Sequence, residues 1–481
     1  MSFDSGQVQP TGRSGLPPGP SLPVPVQTLG WITRPLPFLE RCRERYGDVF
    51  TLRIRSEATW VVLGGPEDVK RVFTGDPNQL RAGEANAILG PVVGSRSVLL
   101  LDEPRHMEDR KLMLPPFHGE RMQGYGELMA DVTRRELAGW PVGEPLPLWP
   151  RMQAITLEVI MRAVFGIADA DRLERLRALL RDALEWLGDR RRLAMMSLLG
   201  PERLQANGRF KASLRPVHEE LLAEIARRRR EPDLRERTDI LSMLVLARYE
   251  DGSQMSDAAL RDELMTLLLA GHETTATSLA WAFERLLRHP QKLDRLREEI
   301  LAGQDDAYLD AVVKETLRLR PVLPIVVRRL ASPMELGGYT IPAGVAVTPC
   351  VHLVHRRADV YPRPSSFMPE RFLEREGGQA ASTYTWIPFG GGVRRCLGAS
   401  FAQFEMKQVL RTVLAEVDLR AGDMRPEGVV RRSITLTPER QATAIVTARR
   451  GRARAGGANA GRGDEQSDDA ALQALHGTGV A

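Results

Sequence analysis

Trp386-Ile387-Pro388-Phe389-Gly390-Gly391-Gly392-Val393-Arg394-Arg395-Cys396-Leu397-Gly398 is the stretch whose reading decides the fold. Three consecutive glycines let a backbone pass close to a flat ligand and take positive φ. Cys396 follows, at or just before the start of a helix with apolar positions Phe401, Phe404, Val409, Leu410, Val413 and Leu414. There the partial positive charge and free N–H groups of a helix N-terminus stabilise a thiolate. A single thiolate held by backbone donors is what a haem iron takes as an axial ligand. Taken alone, the stretch also fits a buried free cysteine beside a loop. A phosphate-binding loop fits less well, because its Lys-Ser/Thr is missing.

Upstream, 256–288 reads as one long helix. Ser256 and Asp257 suit its N-terminus, and His289-Pro290 stops it. Leu260, Leu264, Leu267, Leu268, Leu279, Phe283, Leu286 and Leu287 cover much of its circumference, so it should cross the interior. Yet its middle carries Ala270-Gly271-His272-Glu273-Thr274-Thr275. Glycine inside a helix costs about 1 kcal/mol against alanine, and a buried Glu needs a partner. Rules broken at one buried spot mark a site. The bland alternative is that Thr274 back-bonds to a carbonyl and Glu273 pairs with a core arginine.

A second helix over 305–319 puts Glu315 and Arg318 on one face and ends at Pro321. Alone, that pair would be a surface ion pair worth about 0–1 kcal/mol. Further helices are expected over 170–188 and 211–230, the latter ending in Arg227–Arg230, read as a solvated end. Strands are expected at 49–54, 60–63, 334–336, 339–341 and 345–349, with Gly337-Gly338 as a hairpin turn. Residues 1–25, rich in Pro and Gly, read as an extended or disordered arm, and 449–481 as a disordered tail.

The bulk numbers exclude several classes. A charge of +5 over 481 residues, with no basic cluster interleaved with aromatics, does not point to nucleic acid. Three scattered cysteines, with no CxxC, exclude a disulfide framework, a zinc ribbon and a c-type haem attachment, and suit a reducing cytoplasm. No signal peptide or membrane anchor is recognisable.

With these motifs quoted, the chain resembles the cytochrome P-450 superfamily. Phe389, Gly392, Cys396 and Gly398 match its FxxGxxxCxG segment; Ala270–Thr275 resembles its oxygen-activation motif; Glu315–Arg318 resembles its ExxR pair. Pro369-Glu370-Arg371-Phe372 resembles the segment that adds a second arginine to that pair. The four occur in the family's order within roughly 30–447. The resemblance implies a mainly α fold with small β-sheets, one large domain over 26–448. It implies heme b with Cys396 as the metal ligand, in a bed formed by Phe389, Gly390 and Gly398. Ala270 and Gly271 would leave a gap for dioxygen, and Thr274 and Glu273 would relay the protons that O–O cleavage needs. His106, Arg110, Arg328 and Arg394 would meet the propionates, and Glu315, Arg318 and Arg371 would form a buried structural network. Leu267, Ala270, Ile325, Val326, Val327, Ile434 and Leu436 would line an uncharged substrate pocket.

The implied function is monooxygenation of a medium-sized hydrophobic molecule such as a terpenoid, fatty acid, steroid or polyketide. NAD(P)H electrons would come from a separate ferredoxin or flavodoxin and its reductase, docking on a positive rim of Arg395, Lys407 and Arg411. A cytoplasmic monomer is expected. Two other readings stay open: a haem peroxygenase or isomerase, and a haem-binding sensor or carrier without turnover.

Overall fold

The computed structural model describes residues 13–450, apart from 56–58, 118, 120, 167–170, 173, 181–207, 304, 379–381 and 433. Residues 1–12 of the expected arm and the tail beyond 450 lie outside the described residues. From residue 13 the chain runs extended along the sheets. Strand β1 (Arg13–Ser14) pairs in parallel with β8 (Tyr339–Ile341), and Thr51 bonds the carbonyls of Pro17 and Pro18. Helices α1 (Val24–Thr33) and α2 (Pro35–Tyr46) each carry proline in the first turn, where the missing N–H is harmless.

One five-stranded sheet has the order β2-β3-β9-β6-β4, from β2 (Val49–Arg53), β3 (Thr59–Leu63), β4 (Leu80–Arg81), β6 (Arg328–Leu330) and β9 (Ala346–Pro349). Strand β7 (Met334–Leu336) turns into β8 through Gly337 and Gly338, both at positive φ, as the hairpin reading requires. Two small sheets complete the β part. One joins β5 (Pro145–Pro147), β10 (Val417–Ala421) and β13 (Thr443–Arg449); the other is the hairpin β11 (Val429–Arg432) and β12 (Thr435–Pro438).

The rest is mainly helical: α3 (Pro66–Thr74), α4 (Arg105–Met113), α5 (Arg121–Ala138), α6 (Leu148–Phe165), α7 (Gly208–Arg228), α8 (Ile240–Leu246), α9 (Asp257–Leu287), α10 (Pro290–Ala302), α11 (Ala307–Leu319), α12 (Val351–His355) and α13 (Ala399–Glu416). Of the helix expected over 170–188, residues 171–172 and 174–180 are helical, and the remainder lies outside the described residues.

Helix α9 organises the core. At about 1.5 Å per residue its 31 residues span about 46 Å. The Ser256 hydroxyl accepts from the Ala259 N–H, capping the start. Its buried acids hold a loop. Asp262 accepts from the Arg96 N–H at 3.1 Å, Glu263 from the Val98 N–H at 2.7 Å, and Thr266 donates to Ser97 at 2.7 Å. Gly94 sits at φ +86, and a Cβ there would overlap the Asp262 carboxyl. Across the core, Gly271 lets α6 approach, since a Cβ would stand 3.0 Å from the Ile160 side chain. Thr156 of α6 donates to the His272 carbonyl at 2.9 Å.

The arginine run at the end of α7 corrects the sequence reading. Arg228 is 1% exposed, not solvated. It pairs with Glu224 and Asp239 and donates to Ser242 and to the Phe165 carbonyl. Charge density alone cannot reveal this, because the partners Asp239 and Phe165 come from other segments.

Candidate active site

The Gly-rich loop owes its shape to its neighbours. A Cβ on Gly391 or Gly392 would strike Phe73 of α3, and Gly390 and Gly392 sit at φ +68 and +66. The loop ends in a 3-10 turn at Gly392–Arg394, and the Cys396 N–H donates to the Phe389 carbonyl at 3.0 Å. Helix α13 begins at Ala399, with Gly398 at its N-cap, so Cys396 stands just before a helix start.

The Cys396 side chain opens to a cavity of about 1810 Å³ and is enclosed by protein elsewhere. Burial pushes its thiol pKa up, while the Gly398 N–H, Arg110 and Arg395 pull it down. A bare thiolate is therefore disfavoured, yet donors for one are in place; a cationic metal at the sulfur would complete the balance. Cys42 and Cys350 differ. Burial raises them to about 11 and about 12, and they pack in the core beside the sheet.

Three guanidinium groups and a histidine, whose pKa burial and Arg394 hold down, gather on the same cavity. Arg328 is almost fully buried, and among the described residues its side chain bonds only the Val327 carbonyl; burial and the neighbouring Arg394 push its pKa down to about 10. Arg110 makes no ion pair among the described residues, and burial lowers its pKa as well. His106 Nδ1 faces Glu103 at 2.7 Å. Arg394 is taken up differently from the expectation. It donates to the Val98 and Leu101 carbonyls and pairs with Asp102 at 3.0 Å, leaving a buried Nε without a partner among the described residues. Crowded cations of this kind call for an anion. A thiol, a glycine bed and a cationic edge around one apolar cavity fit a haem with its two propionates.

Glu315, Arg318 and Arg371 are brought together in the interior. Glu315 and Arg318 are fully buried, with two contacts of 2.7 and 2.9 Å, and Arg371 reaches Glu315 at 3.1 Å. Arg318 also donates to the carbonyls of His355, Pro364 and Ser366. His355, which sequence reasoning missed, links this network to the loop. Its Nε2 accepts from the Ile387 N–H at 2.9 Å, so Nδ1 carries the proton and donates to the Arg318 carbonyl. Burial and Arg318 hold its pKa well below the usual value, which keeps that tautomer neutral. Trp386 adds a second link, donating to the Lys314 carbonyl and packing edge-on to Phe389 at 6.0 Å.

On the other side, Leu267, Ala270, Gly271, Glu273 and Thr274 line the cavity. The Thr274 hydroxyl donates to the Ala270 carbonyl at 2.7 Å, the back-bond of the bland reading. Glu273 accepts from Thr435 of β12 at 2.9 Å, near Arg432, and burial raises its pKa. Ile325, Val326, Val327 and Ile434 also line the cavity. Leu436 does not. It is 2% exposed and lies in the wall, where its N–H bonds the Val322 carbonyl and its own carbonyl accepts from Trp281. Nor is the lining free of charge: Arg135, Glu136, Glu158, Arg177, Arg431 and Arg432 contribute to it, Arg432 lying over the Trp149 ring at 4.6 Å.

The expected positive rim is partly neutralised, with Lys407 near Asp310 at 3.8 Å and Arg411 paired with Asp306. Arg395 is exposed.

A cysteine with donors for a thiolate, facing a mainly apolar cavity crossed by one long helix, defines the class of haem-thiolate enzymes. The chain belongs to the cytochrome P450 family, whose model matches residues 17–443. It is 44% identical over 452 residues to a Mycobacterium tuberculosis protein described as cytochrome P450 135B1, covering 92% of this chain and 93% of that one. Cytochrome P450 137 of the same species is 40% identical, covering 83% of each. Among solved structures, retinoic acid-bound cyanobacterial CYP120A1 superposes with TM-score 0.77 at 23% identity, covering 91% of this chain and 100% of that one. The haem domain of cytochrome P450DA gives 0.78 at 24%, covering 91% and 98%. The enzyme is accordingly a haem monooxygenase. No described helix is long and apolar enough to cross a membrane.

Proposed function

We propose that this monooxygenase binds heme b through Cys396 and inserts one oxygen atom from dioxygen into a medium-sized hydrophobic substrate, of terpenoid, fatty acid, steroid or polyketide type. Bound haem supplies the dioxygen reduction and oxygen insertion. The observation that carries the reading is the apolar wall of Leu267, Ala270, Ile325, Val326, Val327 and Ile434 facing Cys396 across one cavity. Such a wall binds by apolar burial, about 25 cal/mol per Å², and offers a charged substrate group little to replace its hydration. Part of the lining charge is paired: Glu158 with Arg177 and Arg135, and Glu136 with Arg151 beyond the lining. A spectral screen tests this. Terpenoid, steroid or long-chain compounds should shift the ferric spin state, and Ala270→Phe should narrow that set. A shift caused only by small polar compounds would contradict it.

Thr274 Oγ1 holds a proton at the cavity wall, and rotation away from the Ala270 carbonyl would turn it inward. The buried Glu273 carboxyl, inclined to keep its proton, stands next to it as a further store. Thr274→Ala should bind haem and substrate normally, yet yield less product per NADH consumed, with peroxide making up the difference. An unchanged ratio would remove Thr274 from proton delivery.

Electrons would arrive from a ferredoxin or flavodoxin with its NAD(P)H reductase, at the face that carries Arg395. We further read the chain as a cytoplasmic monomer, with 26–448 as the catalytic domain.

A further inference from the structure

Glu273, Thr277 and Trp281 stand at i, i+4 and i+8 on α9, so they share one stripe of that helix. The hairpin β11–β12 is seated along this stripe. Trp281 Nε1 donates to the Leu436 carbonyl at 2.9 Å. Thr277 Oγ1 accepts from Trp149 Nε1 at 3.1 Å, and the Trp149 ring carries the Arg432 guanidinium at 4.6 Å. Glu273, at the cavity end of the stripe, meets Thr435, which is 2% exposed. The hairpin is thus fixed to α9 on both sides of that contact.

The Thr435 hydroxyl has two acceptors and one proton. Its oxygen lies 2.9 Å from Glu273 Oε1 and 2.8 Å from the carbonyl of Arg432, its partner across the hairpin. It can donate to only one of them at a time. A carboxylate is a stronger acceptor than a neutral carbonyl, so Thr435 donates to Glu273 when that group is ionised. When Glu273 carries its proton, the carboxyl O–H becomes the donor to Thr435, and Thr435 turns its own O–H to the Arg432 carbonyl. Glu273 and Thr435 stay bonded in both states, with no heavy atom displaced. Burial raises the Glu273 pKa, while the Thr435 bond and the charge of Arg432 lower it; Arg432 is the one charged group that acts on Glu273 among the described residues. A valine at 435 would have the same outline, but it would leave the carboxyl facing a methyl group.

We propose that Thr435 is a positioning residue for Glu273: its hydroxyl holds the carboxyl at the cavity wall in both protonation states, and it turns between Glu273 and the Arg432 carbonyl as the proton leaves and returns. The Thr435 proton stays on its own oxygen throughout. The proton that Glu273 gives up goes to the cavity side, and one from solvent replaces it. That use rests on Glu273 as the proton store proposed above; the hydroxyl switch is a property of the hairpin contact itself.

Infrared spectra of the full haem-loaded protein, taken across a pH titration, test this without turnover. The carboxyl band of protonated Glu273 is the one that Glu273→Gln removes. In Thr435→Val that band should move to higher frequency, because the carboxyl O–H has lost its acceptor. Its conversion to carboxylate should move up by about one pH unit, because the charged form has lost a donor. Thr435→Ser keeps the hydroxyl and should restore both values, and an unchanged carbon monoxide spectrum reports the fold in each variant. Product per NADH, in the assay used for Thr274→Ala, reads the consequence. It should fall in Thr435→Val and recover in Thr435→Ser, and Thr435→Val should add no loss on top of Glu273→Gln. A Glu273 band indifferent to Thr435→Val, or a Thr435→Ser variant that behaves as Thr435→Val does, would overturn the proposal and leave the proton store standing. A shifted band with product per NADH unchanged in Glu273→Gln would instead remove the proton store, and the catalytic use of the switch with it.

Discussion

Cys396→Ala is expected to abolish product formation while the chain keeps its fold. The sulfur faces the cavity. What shapes the loop lies elsewhere: the Cys396 N–H to Phe389 bond, the contact of Gly391 and Gly392 with Phe73, and the three bonds of Arg394. Ala keeps the backbone N–H and permits the same φ and ψ, so the change in unfolding free energy should stay within about 1 kcal/mol. What disappears is the one donor that a haem iron can take as thiolate in this cavity. Cys42 and Cys350 cannot substitute, since both are buried away from it. Product per haem, with surrogate redox proteins, measured beside the melting temperature, checks both halves. A variant that turns over at the wild-type rate would contradict the assignment.

Arg318→Ala is expected to cost about 3–5 kcal/mol of stability, the loss found when one member of a buried charge network is removed. Three consequences add up. Glu315, fully buried, keeps only Arg371 and the Met368 N–H among the described residues. The carbonyls of His355, Pro364 and Ser366 lose their donor. The Tyr361 ring loses a guanidinium at 4.9 Å. Because His355 joins this network to the loop before Cys396, haem retention should fall together with stability. Urea unfolding of the loaded protein measures the first and haem content after gel filtration the second. A loss below about 1 kcal/mol would reduce the network to an ordinary ion pair.

The parts of this fold that local sequence dictates were legible in it. Ser256 caps α9, proline follows its end at residue 290, and Gly337-Gly338 turns the hairpin because only glycine takes two consecutive positive φ values freely. Glu315 and Arg318 share a face by spacing, but their burial depends on Met368, His355 and Pro364, which no helical period reveals. Arg228 failed for the same reason: its partners arrive through tertiary packing. The site was legible where a motif is contiguous, as around Cys396. It was less so where one side chain must choose among neighbours. Arg394 turns to Asp102 and Glu273 to Thr435, and each partner lies on a separate element. Leu436 illustrates strand alternation, since β12 places Thr435 towards Glu273 and Leu436 into the wall.

The central claim is that this cavity holds a haem ligated by the Cys396 thiolate. The spectrum of the reduced protein under carbon monoxide tests it most directly. The wild type should show the strongly red-shifted Soret band of a thiolate-ligated haem, and Cys396→Ala should lack it. A wild type without that band, or a Cys396→Ala variant that keeps it, would contradict the claim.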